Sequence, residues 1–454
     1  MSGGWNPLKR WAPDASLRGL IRHCSVLIAG DVVSNALQVV RLGLTARALG
    51  AELFGVLVLI QTFAAVIDEI VNFASWKALI KFGAGHVHAG EREKLRGILK
   101  VGLLLDSASA LVATLLAVGG SFVLARVKGL DSTTTAMLVV NSLGLAFNIS
   151  GTPTAILRLF ERFKLFSVQK TIAAAVKVIG AVLASATGAG LWGFLIVSLV
   201  ATTVGRILLM YFGWRTLKEH GADGLLRARA EKPREILRFA VWTNLNTTVQ
   251  LPVKQLDMAI VAALVSLEGV GVYKLVKQIA LVMTMVSDSV YQVIYPRLAG
   301  QLARGDLDGA LRESRKTGAL LLAFTLSAAV GVALFGPTLI TRLFGAEFAT
   351  DPLSLDAYMF LRAVSCAFVV VHPLFLALGF VRQELGIQIV SNSLYLAAAW
   401  FLGREFGLLG IVLAYGVQFS SVLLPKCLII RAHLRGQRTG ATAPAPAAVR
   451  SPPG

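Results

Sequence analysis

Charge is scarce in this chain. Of 454 residues only 15% are Asp, Glu, Lys or Arg, against about 25% in a typical soluble protein, and that shortage excludes a water-soluble globule. Cysteines number three, Cys24, Cys366 and Cys427, far apart in the chain, so neither a disulfide framework nor a thiolate zinc site is suggested. No G-x-x-x-x-G-K-[ST] loop occurs, and with it goes any visible ATP site. His86 and His88 stand two apart and His372 precedes Pro373; none has the i, i+4 partner of a helical zinc site. No catalytic residue, metal or cofactor is therefore expected, and the chain reads as a non-enzyme. Aromatic residues are 8% of the total and form no stacking platform beside the basic loops, which argues against nucleic acid as a partner.

What is abundant is apolar sequence, 56% of the residues. Runs of about 20 residues, enough for a helix to cross a bilayer, recur at 24–46, 53–74, 98–124, 136–157, 167–188, 190–212, 238–264, 270–296, 317–340, 357–379, 385–402 and 408–430. Backbone polar groups in hydrocarbon must be bonded within the segment itself, and the short alternating strands of a barrel are missing. The expected fold is an all-α polytopic membrane protein with twelve transmembrane helices.

The net charge of +19 is explained by orientation. With both termini placed inside, 32 of the 44 Lys and Arg fall in cytoplasmic segments or the adjoining cytoplasmic ends of spans and five in outer loops, the asymmetry of the positive-inside rule. Seven more, Arg41, Lys177, Arg206, Lys254, Lys274, Lys277 and Arg362, fall inside spans. Arg206 and Arg362 stand near span ends and are expected to snorkel to the interface.

The organisation follows from the hydrophilic intervals. Residues 1–23 read as a cytoplasmic segment, 24–212 as a first six-helix bundle, 213–237 as a cytoplasmic connecting loop, 238–430 as a second six-helix bundle and 431–454 as a disordered, Pro-rich tail. The two halves look related. Glu52, Gly55 and Val56 recur as Glu268, Gly271 and Val272, and the same offset of 216 sets Asp31, Ser34, Gln38 and Arg41 opposite Thr247, Gln250, Lys254 and Asp257. Internal repeats of this kind are a common ground plan of transporters.

Polar residues in the spans are aligned rather than scattered. Asp31, Ser34, Asn35, Gln38, Arg41 and Thr45 share one face of span one, and Asn246, Thr247, Gln250, Lys254 and Asp257 share one face of span seven. Span eight repeats the pattern with Lys274, Lys277, Gln278, Asp288 and Gln292, and span two with Gln61, Asp68, Glu69 and Asn72. A central charge costs about 2.5 to 3.5 kcal/mol on insertion scales, so such stripes line water or pair with another helix. Pro252 removes a helical hydrogen bond and marks a bend in span seven. The topology sets Arg41, Lys254, Lys274 and Lys277 in the outer half of the membrane and Asp31, Asp68, Glu69, Asp106 and Asp288 in the inner half. The competing reading is that these charges only pair with one another to fix helix packing.

Four stretches carry a resemblance: ARALGAELFGVLVL at 46–59, AILRLFERFKLF at 155–166, LDMAIVAALVSLEGVGVYKLVKQIA at 256–280 and YPRLAGQLARGDLDGAL at 295–311. They are similar to the bacterial polysaccharide-transport family, the Wzx-type flippases of lipid-linked oligosaccharides, within the superfamily that includes multidrug extruders. The resemblance implies two pseudo-symmetric six-helix bundles around a central cavity in the bacterial inner membrane. It also implies a cargo, a glycan on undecaprenyl pyrophosphate flipped from the inner to the outer leaflet for cell-surface polysaccharide such as O-antigen or exopolysaccharide. Membrane lipids, a polysaccharide polymerase and glycosyltransferases are the implied partners. On the residues, Arg41, Lys254, Lys274 and Lys277 suit a pyrophosphate, while Asn35, Gln38 and Gln250 suit sugar hydroxyls. Asp31, Asp68 and Asp288 are the candidates for carrying a coupling ion. The alternative is an ion-coupled multidrug or small-molecule exporter, whose cavity would be dominated by acids.

Overall fold

The computed structural model describes the backbone of residues 15–438, Ala74 excepted, and most side chains from 32 to 435. The readings made for residues 1–14 and for the tail beyond 438 lie outside the described residues, as do the side chains of Cys24, Asp31, His88, Asn246 and Gln292.

All elements among the described residues are helical. Helix α1 (Ala15–Val71) holds the first two spans, divided at Gly50, whose φ of 76° breaks the helical path. Only glycine enters that region of backbone space without a steric cost. A short helix α2 (Ser75–His88) follows, then α3 (Arg92–Lys128), α4 (Ser132–Leu143), α5 (Gly151–Leu159), α6 (Phe163–Ala186) and α7 (Gly190–Glu219). The seventh span is α8 (Pro233–Thr248), a π-helical turn at Pro252–Leu256, and α9 (Asp257–Leu264). After it come α10 (Leu267–Ala303), α11 (Leu307–Leu343), α12 (Pro352–Ala367), α13 (Val371–Ala377) and α14 (Val381–Arg438). Helix α14 is divided at Gly407, with φ 57°. Nine helices among the described residues are long and apolar enough to cross a membrane. Dividing α1 and α14 at their glycines and adding the interrupted seventh span accounts for the twelve crossings expected.

The packing has the sign of a membrane protein. On α3 the buried face is small, with Ala110, Ala113, Ala117 and Ser121, while Leu111, Leu115 and Val123 are exposed. Lipid is as apolar as leucine, so close helix approach through small residues replaces burial of large ones.

Helix ends are tied down locally. Asp131 accepts from the backbone N–H of Thr133 and Thr134 ahead of α4, and the Ser266 hydroxyl accepts from Gly269 N ahead of α10. Buried Asp106 serves two helix starts at once, accepting from Ser75 Oγ at 2.5 Å and from Thr152 N at 2.6 Å. These bonds join α2 and α5 to α3. The interval after span two thus contains a helix where only a basic loop was expected. Ala78 and Leu79 of α2 pack with Ile98, Leu99 and Ile156, and that buried face orders the segment. Past the end of α2, Glu91 accepts from Lys94 and His86, and these bonds hold its carboxyl below the ordinary carboxylate range.

The chain divides into two compact units. One comprises the residues up to Thr45 with Ile67–Asn244, the other Ala46–Val66 with the residues from Leu245 onward. Within the second unit the repeat is expressed directly. A Cβ on Gly55 would collide with the carbonyl oxygen of Leu267, and a Cβ on Gly271 would lie 2.8 Å from that of Ala51. Ala51 and Leu267, like Gly55 and Gly271, are 216 residues apart. The contact is reciprocal, as a two-fold repeat requires.

Candidate functional site

A polar assembly in the second unit surrounds a cavity of about 580 Å³. Its walls come from the π-helical turn, α10, α12, α13 and α14, and include Gln250, Lys254, Lys277, Arg362, His372 and Lys426. Aromatic walls are supplied by Tyr273, Tyr358 and Tyr415.

The π-helical turn begins at Pro252, which has no N–H to give, and its loosened carbonyls face the next helix. Lys277 Nζ approaches the carbonyl oxygens of Lys254 at 3.2 Å and Val253 at 3.4 Å, and pairs with Asp257 Oδ2 at 2.6 Å. Tyr273 donates its hydroxyl to the same carboxylate oxygen at 3.1 Å. Asp257 is 1% exposed, so its charge is matched in place by Lys277, one turn of helix beyond Tyr273. Lys254 is exposed at the cavity wall.

Arg362 does not snorkel. Its guanidinium donates to Thr284 Oγ1 at 2.7 Å and to the Tyr415 hydroxyl at 2.8 Å, and that hydroxyl is also 2.7 Å from Ser365 Oγ. Hydroxyls orient the cation without cancelling its charge. Arg206 is likewise held inside its unit, donating to the Gly144 carbonyl at 2.7 Å. At the other end of the cavity Lys426 pairs with Glu384 at 2.8 Å and meets His372 Nδ1 at 3.1 Å. Lys254, Lys277, Arg362 and Lys426 thus line the cavity, and Asp257 pairs with Lys277 and Glu384 with Lys426.

Of the residues singled out in the sequence, Gln250, Lys254 and Lys277 are brought together here. Lys274 is half-buried one turn earlier on α10 and outside the cavity lining. Asp288 is exposed on α10 and lies close enough to Arg362 to interact with it electrostatically. The remaining candidates belong to the first unit. Asn35 and Gln38 are half-buried on α1. Arg41 is 9% exposed, its Nε has no hydrogen-bond partner among the described residues, and Lys177 lies within its electrostatic reach. Asp68 accepts from Asn148 Nδ2 at 2.7 and 2.8 Å and from Asn72 at 3.4 Å.

Sequence reasoning missed Lys426, His372 and the tyrosines. A signal existed. Tyr415, Gln418, Val422 and Lys426 follow one another at three- and four-residue steps, and Tyr358, Arg362 and Ser365 do the same, the spacing of a single helix face.

Long helices with small residues inside, large apolar residues outside and a cation-lined cavity define a multi-pass helical membrane protein. Its fold is that of MOP-superfamily transporters: the chain is similar to a solved structure described as the inward-facing conformation of a multidrug resistance MATE family transporter, with a TM-score of 0.76 and 13% identity over 90% of this chain and 96% of that one. The lipid II flippase MurJ in its inward closed conformation matches with a TM-score of 0.70 and 16% identity over 89% and 87% of the two chains. The chain belongs to the family described as polysaccharide biosynthesis protein, whose profile matches residues 20–300. A relative along nearly its whole length is the inner membrane protein YghQ of Escherichia coli, 24% identical over 362 residues, 78% of this chain and 99% of the relative.

Proposed function

We propose that the protein is a flippase that carries an undecaprenyl-pyrophosphate-linked oligosaccharide from the inner to the outer leaflet of the bacterial inner membrane by alternating access. Both termini would lie in the cytoplasm, and a polysaccharide polymerase and glycosyltransferases would act on the same glycan. The observation that carries this reading is Arg362, a cation inside the second unit whose hydrogen bonds go to hydroxyls, facing the same cavity as Lys254. A pyrophosphate is a compact multivalent anion, and an oriented guanidinium with nearby ammonium groups replaces its hydration shell. In this reading Arg41, Lys254, Lys274 and Lys277 serve the pyrophosphate together with Arg362, while Asn35, Gln38 and Gln250 serve sugar hydroxyls. Asp31, Asp68 and Asp288 would carry the coupling ion. Membership of a polysaccharide biosynthesis family and the fold shared with a lipid II flippase support the same cargo class.

The test is glycan appearance on the outer leaflet of cells carrying Lys254→Ala or Arg362→Ala at normal protein level. Both variants should lose export, and Arg362→Lys should retain part of it. Normal export in both alanine variants would place the anion elsewhere. The likeness to a multidrug transporter fold favours a second reading, a small-molecule exporter. Cationic drugs are the distinguishing cargo, because the lining cations outnumber the carboxylates of Asp257 and Glu384 that pair with two of them. Drug resistance conferred on a susceptible host, and lost in Arg362→Ala, would establish the exporter instead.

A further inference from the structure

We infer that Tyr291, Tyr295 and His372 form a sugar-stacking ladder that holds the glycan of the translocated lipid, an assignment that rests on the flippase reading and specifies where its sugar lies. Tyr291 and Tyr295 stand four residues apart on α10 and so share a face. Their rings are parallel to within 6°, with centroids 6.3 Å apart. The His372 ring, from α13, lies 5.7 Å from Tyr291 at an interplanar angle of 19°. Atoms in van der Waals contact lie about 3.5 to 4 Å apart, so rings with centroids 5.7 and 6.3 Å apart are near-parallel without full face-to-face contact. Part of each face is left uncovered, and Tyr295 is 39% exposed.

The ladder adjoins the cation site. His372 lines the same cavity as Lys254 and Arg362, and its Nδ1 is engaged by Lys426 at 3.1 Å and Glu384 at 3.4 Å. Those contacts act on the edge of the ring and fix its plane. Thr284, the hydroxyl that orients Arg362, precedes Tyr291 by seven residues, about 10 Å along the helix. The rings thus stand about two turns of helix from Arg362, within reach of a sugar joined directly to a pyrophosphate held there.

The chemistry suits a pyranose. One face of a sugar ring carries C–H groups with small positive partial charges, and an aromatic face is negative. The hydroxyls point outward around the rim, where amides and carboxylates meet them. Gln388, bonded to Glu384 at 3.0 Å, and Gln418 stand in the cavity wall beside His372. Stacking on faces with hydrogen bonds at the edge recognises sugar as a class and tolerates variation in the hydroxyl pattern. The competing role for two tyrosines near the end of an apolar span is anchorage at the membrane–water interface, which has no use for a third ring aligned with them.

The test uses the full-length protein purified into lipid nanodiscs and two probes: undecaprenyl pyrophosphate, and the same lipid bearing an N-acetylglucosamine disaccharide. The wild type should bind the sugar-bearing lipid more tightly. Tyr291→Ala should weaken that lipid by roughly tenfold, the size of an aromatic stacking contribution, and leave the sugar-free lipid unchanged. Tyr291→Phe keeps the stacking face and should behave as the wild type, which also shows that the site is folded. Equal affinity of the wild type for both lipids, or an equal loss of both in Tyr291→Ala, would overturn the ladder and leave the cation site standing. Failure of the wild type to bind either lipid would overturn both.

Discussion

At the scale of single residues, the second unit separates two kinds of buried charge. Asp257 and Lys277 neutralise each other at 2.6 Å, and Asp257 is almost wholly enclosed. Arg362 donates to the hydroxyls of Thr284 and Tyr415 and has the Asp288 carboxylate within electrostatic reach. Removing one member of an enclosed ion pair strands the other charge, so Asp257→Ala should destabilise the purified protein by about 3 kcal/mol. The double replacement Asp257→Asn with Lys277→Gln should recover most of that loss. A double-mutant cycle read by thermal unfolding checks this, and additive losses would show that the pair is not coupled. Arg362→Ala should change stability far less than transport, since hydroxyls left behind can rebond to water or to each other. Counting intramembrane charges alone does not separate Lys277 from Arg362, because the pairing that neutralises Lys277 is a matter of distance across helices.

At the scale of elements, the repeat is carried by backbone approach. Gly55 and Gly271 each abut the carbonyl of the residue four places before the other, Leu267 and Ala51. Neither has room for a methyl group. Overpacking of this kind costs about 1 to 3 kcal/mol where the backbone can adjust. Gly271→Ala should therefore lower the melting temperature measurably, and Gly55→Ala should lower it more, because its Cβ has the closer obstacle. Unaltered melting in both variants would mean that the segments part freely and that the close approach contributes nothing to the fold. The π-helical turn at Pro252–Leu256 is the second element-level device. By breaking the i, i−4 ladder it turns carbonyls toward Lys277, which a regular helix would have kept for itself.

At the scale of the whole molecule, the distribution of Lys and Arg predicts an orientation with both termini inside. Single cysteines introduced at Gly90 and Gly224 should be protected from an impermeant thiol reagent in intact cells, and one at Ala349 should be labelled. All three lie at helix ends: Gly90 between α2 and α3, Gly224 after α7, and Ala349 between α11 and α12. The reverse labelling pattern would invert the topology, and with it the direction of transport relative to the ladder and the cation site.

The amino-acid sequence by itself determined that this chain is helical and membrane-spanning, roughly where each span lies, and that the two halves repeat with an offset of 216. Those properties are local or periodic: hydropathy over about 20 residues and the spacing of polar residues around a helix need no tertiary information. Pro252 as a break, and Gln250, Lys254 and Lys277 as members of one polar surface, were legible for the same reason. The tertiary structure alone decided which charges meet. Asp257 pairs with Lys277 across two helices, Arg362 turns to Thr284 and Tyr415, and Lys426 joins His372 and Glu384. Periodicity specifies the face of a helix on which a side chain stands. It does not specify the neighbour toward which that face is turned, because that depends on how segments hundreds of residues apart pack.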